Sequence, residues 1–238
     1  MGAGNLHGPD EVQARRMSAE PGSFIARLKP EEVADLMRCG RRRRWRRGSV
    51  LLNQGESSRW VAVLLSGIVK VSSLTDEGKE IVLDIRGPGA LIGELEAADG
   101  KPRPATVIAL GSVEALVISH QDFAAFLSSH CGVVWLVVDS LCERLRNAER
   151  KRIDFGCHNI ARRLAMQLVE LAEQYGQPVE RGVHITLPLT QDDLASWIGA
   201  SREAVSKALR SLRLKGWIET GRRSVLILDL PALHNRAL

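Results

Sequence analysis

The stretch Leu189-Thr190-Gln191-Asp192-Asp193-Leu194-Ala195-Ser196-Trp197-Ile198-Gly199-Ala200-Ser201-Arg202-Glu203-Ala204-Val205-Ser206-Lys207-Ala208-Leu209 constrains the fold more than any other segment, because it has room for two short helices and one turn. Thr190 can accept from the free amides of a first turn, and Asp192 and Asp193 lie where the helix dipole favours negative charge. Gly199 supplies the positive backbone angle of a turn, and Ser201 is a second N-cap. Ala195 is small where two helices must cross closely, and Val205 is apolar where the second must pack back on the first.

On the second helix Arg202, Glu203, Ser206, Lys207 and Arg210 fall on one arc of roughly 140°, at about 100° per residue, with Ala204, Val205, Ala208 and Leu212 opposite. A basic, hydrogen-bonding face backed by a small apolar one suits a DNA major groove, where arginine or lysine reaches guanine and glutamate accepts from cytosine N4. The segment reads as a helix-turn-helix. The run Lys215 to Leu228 follows with two apolar stretches around Gly221-Arg222-Arg223-Ser224, which reads as the β-hairpin wing of a winged helix. Arg222 and Arg223 at its tip suit phosphate contact that sets register without reading sequence. The candidate DNA-binding residues are therefore Thr190, Ser201, Arg202, Glu203, Ser206, Lys207, Arg222 and Arg223, and the expected partner is double-stranded DNA.

The 238 residues, 45% hydrophobic and 26% charged, are enough for two ordinary cores, and the net charge of +5 favours a polyanionic partner without specifying one. No apolar run approaches the roughly 20 residues that cross a bilayer, and the N-terminus lacks the apolar centre of a signal peptide, so a cytoplasmic protein with no membrane partner is expected. Cys39, Cys131, Cys142 and Cys157 form no Cys-x-x-Cys pair, and His7, His120, His130, His158, His184 and His234 show no metal-motif spacing, so no metal is expected. There is no Gly-x-Ser-x-Gly elbow, Walker loop or His-Glu-x-x-His motif, and the chain does not read as an enzyme.

Four segments are expected. Residues 1–20, polar and without apolar periodicity, read as a flexible tail. Residues 21–130 begin with a short helical pattern in which Val33, Leu36 and Met37 form the buried face. They continue as short strands separated by glycines, at 50–52, 60–65, 68–71, 81–85, 106–110 and 113–118, the pattern of a compact roll. Residues 131–154 form a long helix, and residues 155–238 hold a further helix with Ile160, Leu164, Leu168 and Leu171 on one stripe, ended at Gly176-Gln177-Pro178, and then the winged helix-turn-helix. Along the long helix Val134, Val138, Leu141, Leu145 and Ala148 step by 4, 3, 4 and 3, the heptad seam along which two helices interlock. A homodimer is expected through this seam, since paired recognition helices one DNA turn apart need a two-fold axis. Val133, Trp135 and Val137 suit packing against the roll instead. The run Arg41-Arg42-Arg43-Arg44-Trp45-Arg46-Arg47 reads as a solvated edge strand kept from self-pairing by charge, with contact to DNA flanks or an acidic partner as the competing reading.

A β-roll, a long dimer helix and a C-terminal winged helix together resemble the cyclic-AMP receptor protein/FNR (CRP/FNR) family of bacterial transcription regulators. Three motifs carry the resemblance: the roll pattern from Gly48 to Gly67; the cassette Ile92-Gly93-Glu94-Leu95 with Pro102-Arg103-Pro104-Ala105-Thr106-Val107; and Ser201-Arg202-Glu203-Ala204-Val205-Ser206-Lys207. The resemblance implies an α+β fold: an N-terminal cyclic-nucleotide-binding-like β-roll (jelly roll), a long dimerisation helix and a C-terminal winged helix-turn-helix. It also implies a homodimer that bends DNA at a palindromic site with GTGA-like half-sites and acts on RNA polymerase, with Arg202, Glu203 and Lys207 at the base-reading positions.

The resemblance further implies a nucleotide pocket at Gly93, Glu94, Leu95, Arg103, Pro104 and Ala105, where the glutamate holds the ribose and the arginine pairs with the cyclic phosphate. The candidate cofactor is cAMP or cGMP. Pro104 departs from the family pattern, having neither the N–H nor the hydroxyl expected there. At about 1.5–3 kcal/mol for each lost hydrogen bond to a charged group, affinity drops by roughly two orders of magnitude. The adenine-facing positions fall near Ala148 and Glu149, with Asn147 the nearest substitute. Glu94, Glu96 and Asp99 add negative charge that Lys101 and Arg103 only partly offset. The expected pocket is degenerate, with a genuine cAMP- or cGMP-dependent regulator, or one sensing another ligand or a redox signal, as the alternatives.

Overall fold

Short, nearly continuous apolar strands set the N-terminal part of the fold. The protein is described by a computed structural model over residues 19–237. Helices α1 (Phe24–Arg27) and α2 (Pro30–Arg38) precede strands β1 (Gly40–Trp45), β2 (Val50–Leu52), β3 (Trp60–Ser66), β4 (Val69–Leu74), β5 (Glu80–Arg86) and β6 (Leu91–Ile92). Helix α3 (Glu94–Asp99), strands β7 (Thr106–Ala109) and β8 (Val113–Ser119), and helices α4 (His120–Ser129) and α5 (Cys131–Cys157) follow. The strands form two sheets, in the orders β1-β8-β3-β6 and β2-β7-β4-β5.

β3 and β8 divide their side chains between two cores. Val61, Val63 and Leu65 of β3, with Leu116 and Ile118 of β8, pack with Phe24, Ile25, Leu36, Phe123 and Val133. Ala62 and Leu64, with Val113 and Ala115, face the opposite way and pack with Trp45, Val69, Val71 and Val107, filling the space between the sheets. The period of two makes both faces apolar, and each fully buried Val, Leu or Ile contributes about 1.5–3 kcal/mol. Val33, Leu36 and Met37 are buried on α2, which starts with Pro30 at its first position and a cap from the Lys29 N–H to Glu32 Oε2 at 2.8 Å.

β1 is the outer strand of its sheet and pairs only with β8, from Gly40↔Ile118 to Trp45↔Val113. Arg41 to Arg44 are exposed along it, and Arg44 Nε donates to Glu114 Oε2 at 3.0 Å. This is the charged edge strand expected from the arginine run. The expected tail over residues 1–20 falls outside the described residues but for its last two. Of these, Ala19 packs against the helix-side core and the Glu20 N–H donates to the Pro88 carbonyl at 2.9 Å.

Helix α5 extends to Cys157, beyond the expected end at 154, and buries only Val133. Val134, Val138 and Leu145 of the heptad seam are 39%, 38% and 60% exposed, and Ala148 is also exposed. Trp135 corrects one expectation. Placed in sequence with the core-facing residues Val133 and Val137, it is 74% exposed.

The chain divides into two compact units, one holding the chain up to Ser73 with Asp84–Arg144, the other Leu74–Leu83 with Leu145–Leu238. The second contains α6 (Ile160–Tyr175), β9 (Gly176–Val179), β10 (Gly182–Ile185), α7 (Gln191–Trp197), α8 (Arg202–Leu214), β11 (Ile218–Gly221), β12 (Ser224–Ile227) and α9 (Leu230–Ala237). Leu164, Leu168 and Leu171 of α6 are buried with Leu194, Val205, Leu209, Leu212, Ile218 and Leu233. The sheet order is β11-β12-β10-β9, so Gly176-Gln177-Pro178 does more than end a helix. It opens an edge strand, where a proline costs no interior ladder bond.

Candidate functional site

Two capped helices build the helix-turn-helix. Thr190 Oγ1 accepts from the Asp193 N–H at 3.0 Å, and Asp193 Oδ2 accepts in return from the Thr190 N–H at 2.8 Å, a closed capping box at the start of α7. Gly199 holds φ +62°, and a Cβ there would stand 3.4 Å from the Phe155 ring. It is therefore the left-handed angle, and not crowding, that calls for glycine. Ser201 Oγ then accepts from the Ala204 N–H at 3.2 Å and starts α8.

The two faces of α8 separate as its sequence dictates. Val205, Ala208, Leu209 and Leu212 are buried, while Ser201, Arg202, Glu203, Ser206, Lys207 and Arg210 are exposed. Arg202 Nη1 lies 3.7 Å from Asp192 Oδ2, but both side chains are about two-thirds exposed and the pair leaves the guanidinium available. The Glu203 carboxyl is held below the ordinary glutamate range by its own backbone N–H, the Ser201 hydroxyl and the Arg202 charge, so it stays an acceptor near neutral pH. In the wing, Gly221 pairs with Ser224 and the turn between them exposes Arg222 and Arg223, the latter at φ +61°. This unit thus brings all eight sequence-selected DNA residues into one small domain. The Thr190 hydroxyl is committed to its cap, since it also donates to Asp193 Oδ2 at 2.7 Å.

The roll holds the second set of residues. Gly93 at φ +83° ends β6 and starts α3, which buries Glu94 and Glu96 and leaves Leu95 41% exposed. Arg103 and Ala105 are buried and Pro104 is exposed. Arg103 points inward, with Nη1 donating to the Gly93 carbonyl at 2.5 Å and Nη2 to Ser58 Oγ at 2.9 Å and to the Trp60 carbonyl. Its Nε stands 2.5 Å from Glu96 Oε2, and both side chains are almost wholly excluded from solvent. Burial pushes the guanidinium down from its ordinary value while Glu96 and Glu94 pull it back. A Cβ on residue 93 would lie 2.6 Å from Arg103 Nη1, so glycine is required by this inward pose.

Glu94 is likewise engaged, its Oε1 accepting from Arg144 of α5 with Arg86 Nη1 4.0 Å from Oε2. Lys101 is 79% exposed and 3.9 Å from Asp99, so it neutralises neither buried glutamate. Asn147, Ala148 and Glu149 are exposed. The arrangement does not fit a cyclic phosphate. The arginine that would pair with it is spent on protein acceptors, and Pro104 offers no donor. Ser58, Trp60 and Arg144 escaped the sequence reading because only the fold brings them beside the cassette.

Among the described residues no group of three or more His, Cys, Asp and Glu side chains is placed to hold a metal ion, and no single helix is long and apolar enough to cross a membrane. Cys39 donates to the Asp35 carbonyl at 3.3 Å, and burial, with Asp122 and Asp35, pushes its thiol up and away from the reactive thiolate.

Residues 42–130 match the cyclic nucleotide-binding domain, and residues 162–236 match the Crp-like helix-turn-helix domain. The fold and its exposed recognition helix thus define a DNA-binding transcription regulator with an N-terminal domain of the cyclic-nucleotide-binding type. The chain is 29% identical over 231 residues to the CRP-like cAMP-activated global transcriptional regulator of Mycobacterium tuberculosis, covering 96% of this chain and 99% of that protein. It belongs to the CRP/FNR family. Among solved structures, a CRP-family transcriptional regulator from Thermus thermophilus superposes with a TM-score of 0.70 at 27% identity, covering 82% of this chain and 96% of that one. The c-di-GMP responsive global regulator of Xanthomonas campestris shares the fold, with a TM-score of 0.73 at 19% identity over 84% of this chain and 99% of that one.

Proposed function

We propose that the chain acts as a cytoplasmic homodimer that binds and bends a palindromic DNA site with GTGA-like half-sites and acts on RNA polymerase, with no catalytic step of its own. Arg202, Glu203, Ser206 and Lys207 read base edges, Ser201 fixes the start of the helix that carries them, Thr190 fixes the start of the preceding helix α7, and Arg222 and Arg223 hold phosphates. The observation that carries this reading is the polar face of α8, exposed along its first turns on a helix whose apolar face is buried. The dimer reading is supported by α5, where Val134, Val138 and Leu145 lie uncovered at heptad spacing. In a two-fold assembly that seam sets the separation of the paired recognition helices.

Without added nucleotide, a mobility-shift assay should show an inverted repeat bound far more tightly than its scrambled counterpart. Equal binding of both removes the reading. A cAMP- or cGMP-dependent regulator is the second reading, favoured by the Mycobacterium tuberculosis relative whose name states cAMP activation. Against it stand the inward Arg103 and Pro104.

A further inference from the structure

The buried polar groups around Arg103 form an oxyanion site that the chain fills itself. Glu96 Oε1 accepts from the backbone N–H of Ser58 at 3.0 Å and of Arg59 at 3.3 Å, while Oε2 faces Arg103 Nε at 2.5 Å. Arg59 holds φ +51°, a strained angle for a residue with a side chain, directly after the two amides that share this oxygen. Two amides thus bond one oxygen of the buried carboxylate, and the guanidinium stands beside the other as an ion pair, its Nε donating to Ser58 Oγ at 3.2 Å. Such donors suit a carboxylate or a phosphate, and here the occupant is one of the chain's own side chains.

We propose that Glu96 is a resident substitute for an effector's phosphate: it fills the oxyanion site of the roll, keeps Arg103 turned inward, and makes the folded roll independent of a cyclic nucleotide. The proposal deepens the degenerate-pocket reading above and rests on the roll being of the nucleotide-binding type. An incoming phosphate either displaces Glu96, which leaves a buried carboxylate without its cation, or lies beside it as a second negative charge on one guanidinium. Both are unfavourable. Glu96 is therefore a specificity determinant, acting by excluding anions, and its removal restores affinity for small oxyanions without restoring the donors that Pro104 lacks.

The test uses the full-length protein and its Glu96→Gly and Glu96→Gln variants, followed by calorimetry and thermal unfolding with cyclic AMP, inorganic phosphate and acetate. The natural protein should give neither a saturable heat nor a change in Tm with any of them. Glu96→Gly should bind phosphate or acetate on the order of 100-fold more tightly than the natural protein, with a raised Tm. A further Arg103→Met change should abolish the gain. If Glu96→Gly folds only when acetate or phosphate is present, that dependence is the same result, and Glu96→Gln, which keeps the volume, should fold without either. Saturable cyclic AMP binding by the natural protein that requires Arg103 overturns the proposal. So does a Glu96→Gly variant that gains nothing from either oxyanion, folded or not. A mobility shift on the same preparations separates the two readings, because failure to bind an inverted repeat removes the regulator reading and leaves the anion result standing.

Discussion

Thr190 and Asp193 satisfy each other: each side chain accepts the other's backbone N–H, and the Thr190 hydroxyl also donates to the Asp193 carboxylate. Both bonds close the first turn of α7, so Thr190 acts on DNA through the position of that helix. Thr190→Ala should cost about 1 kcal/mol of stability, the usual value of an N-cap, while Thr190→Ser should cost far less. Urea unfolding gives the first number. DNA affinity should fall by a similar factor on every sequence, and a change of base preference would show instead that Thr190 touches a base.

Arg202 lies at the start of α8, where its ion pair is a distant and exposed one to Asp192, and such a pair contributes about 0–1 kcal/mol. Arg202→Ala should therefore leave the melting temperature nearly unchanged. Against the inverted repeat it should cost about 1–3 kcal/mol and relax preference at one base pair per half-site. Binding to a set of singly substituted sites decides the assignment, since a uniform loss across the set would make Arg202 a phosphate contact.

Much of this was legible in the sequence. The short apolar runs at 60–65 and 113–118, set off by glycines, gave β3 and β8, and Thr190, Gly199 and Ser201 gave α7, the turn and α8. Short elements escaped because they have too few residues to show a period, as with β6, α3 and the β9–β10 hairpin. Trp135 was misplaced because apolar residues on a helix look alike whether the chain's own core or another surface covers them, and its 74% exposure is a property of the fold. The negative charge of Glu96 was visible. Its pairing with Arg103, across a glycine turn, was not, because burial and direction are set by Ser58 and Trp60 from a distant strand and loop.

Arg223 separates stability from binding. Its φ of +61° costs a residue with a side chain roughly 1 kcal/mol that glycine avoids. Arg223→Gly should raise stability by up to about that amount while lowering the salt dependence of DNA binding by about one unit of slope, the share of one phosphate contact. Neutralising Arg41 and Arg43 on the edge strand should leave the slope where it is. Affinity measured across a salt series checks both, and a slope unaltered by Arg223→Gly would take the wing tip off the phosphates.

Leu145 is the most exposed of the large apolar residues on the α5 heptad seam, at 60%, with Val134 and Val138 uncovered at 39% and 38%. Burying a leucine on association contributes about 1.5–3 kcal/mol, counted once for each protomer in a two-fold pair. Placing a charge there removes that gain and sets like charges against each other across the axis. Leu145→Glu should thus give a folded monomer in sedimentation, because the residue supports no core of its own chain. With one recognition helix per particle, the variant should bind an isolated half-site much as the natural protein does and lose its preference for the full inverted repeat. A Leu145→Glu protein that stays dimeric would move the interface off this seam, whereas one that unfolds would mean that Leu145 is buried by its own chain.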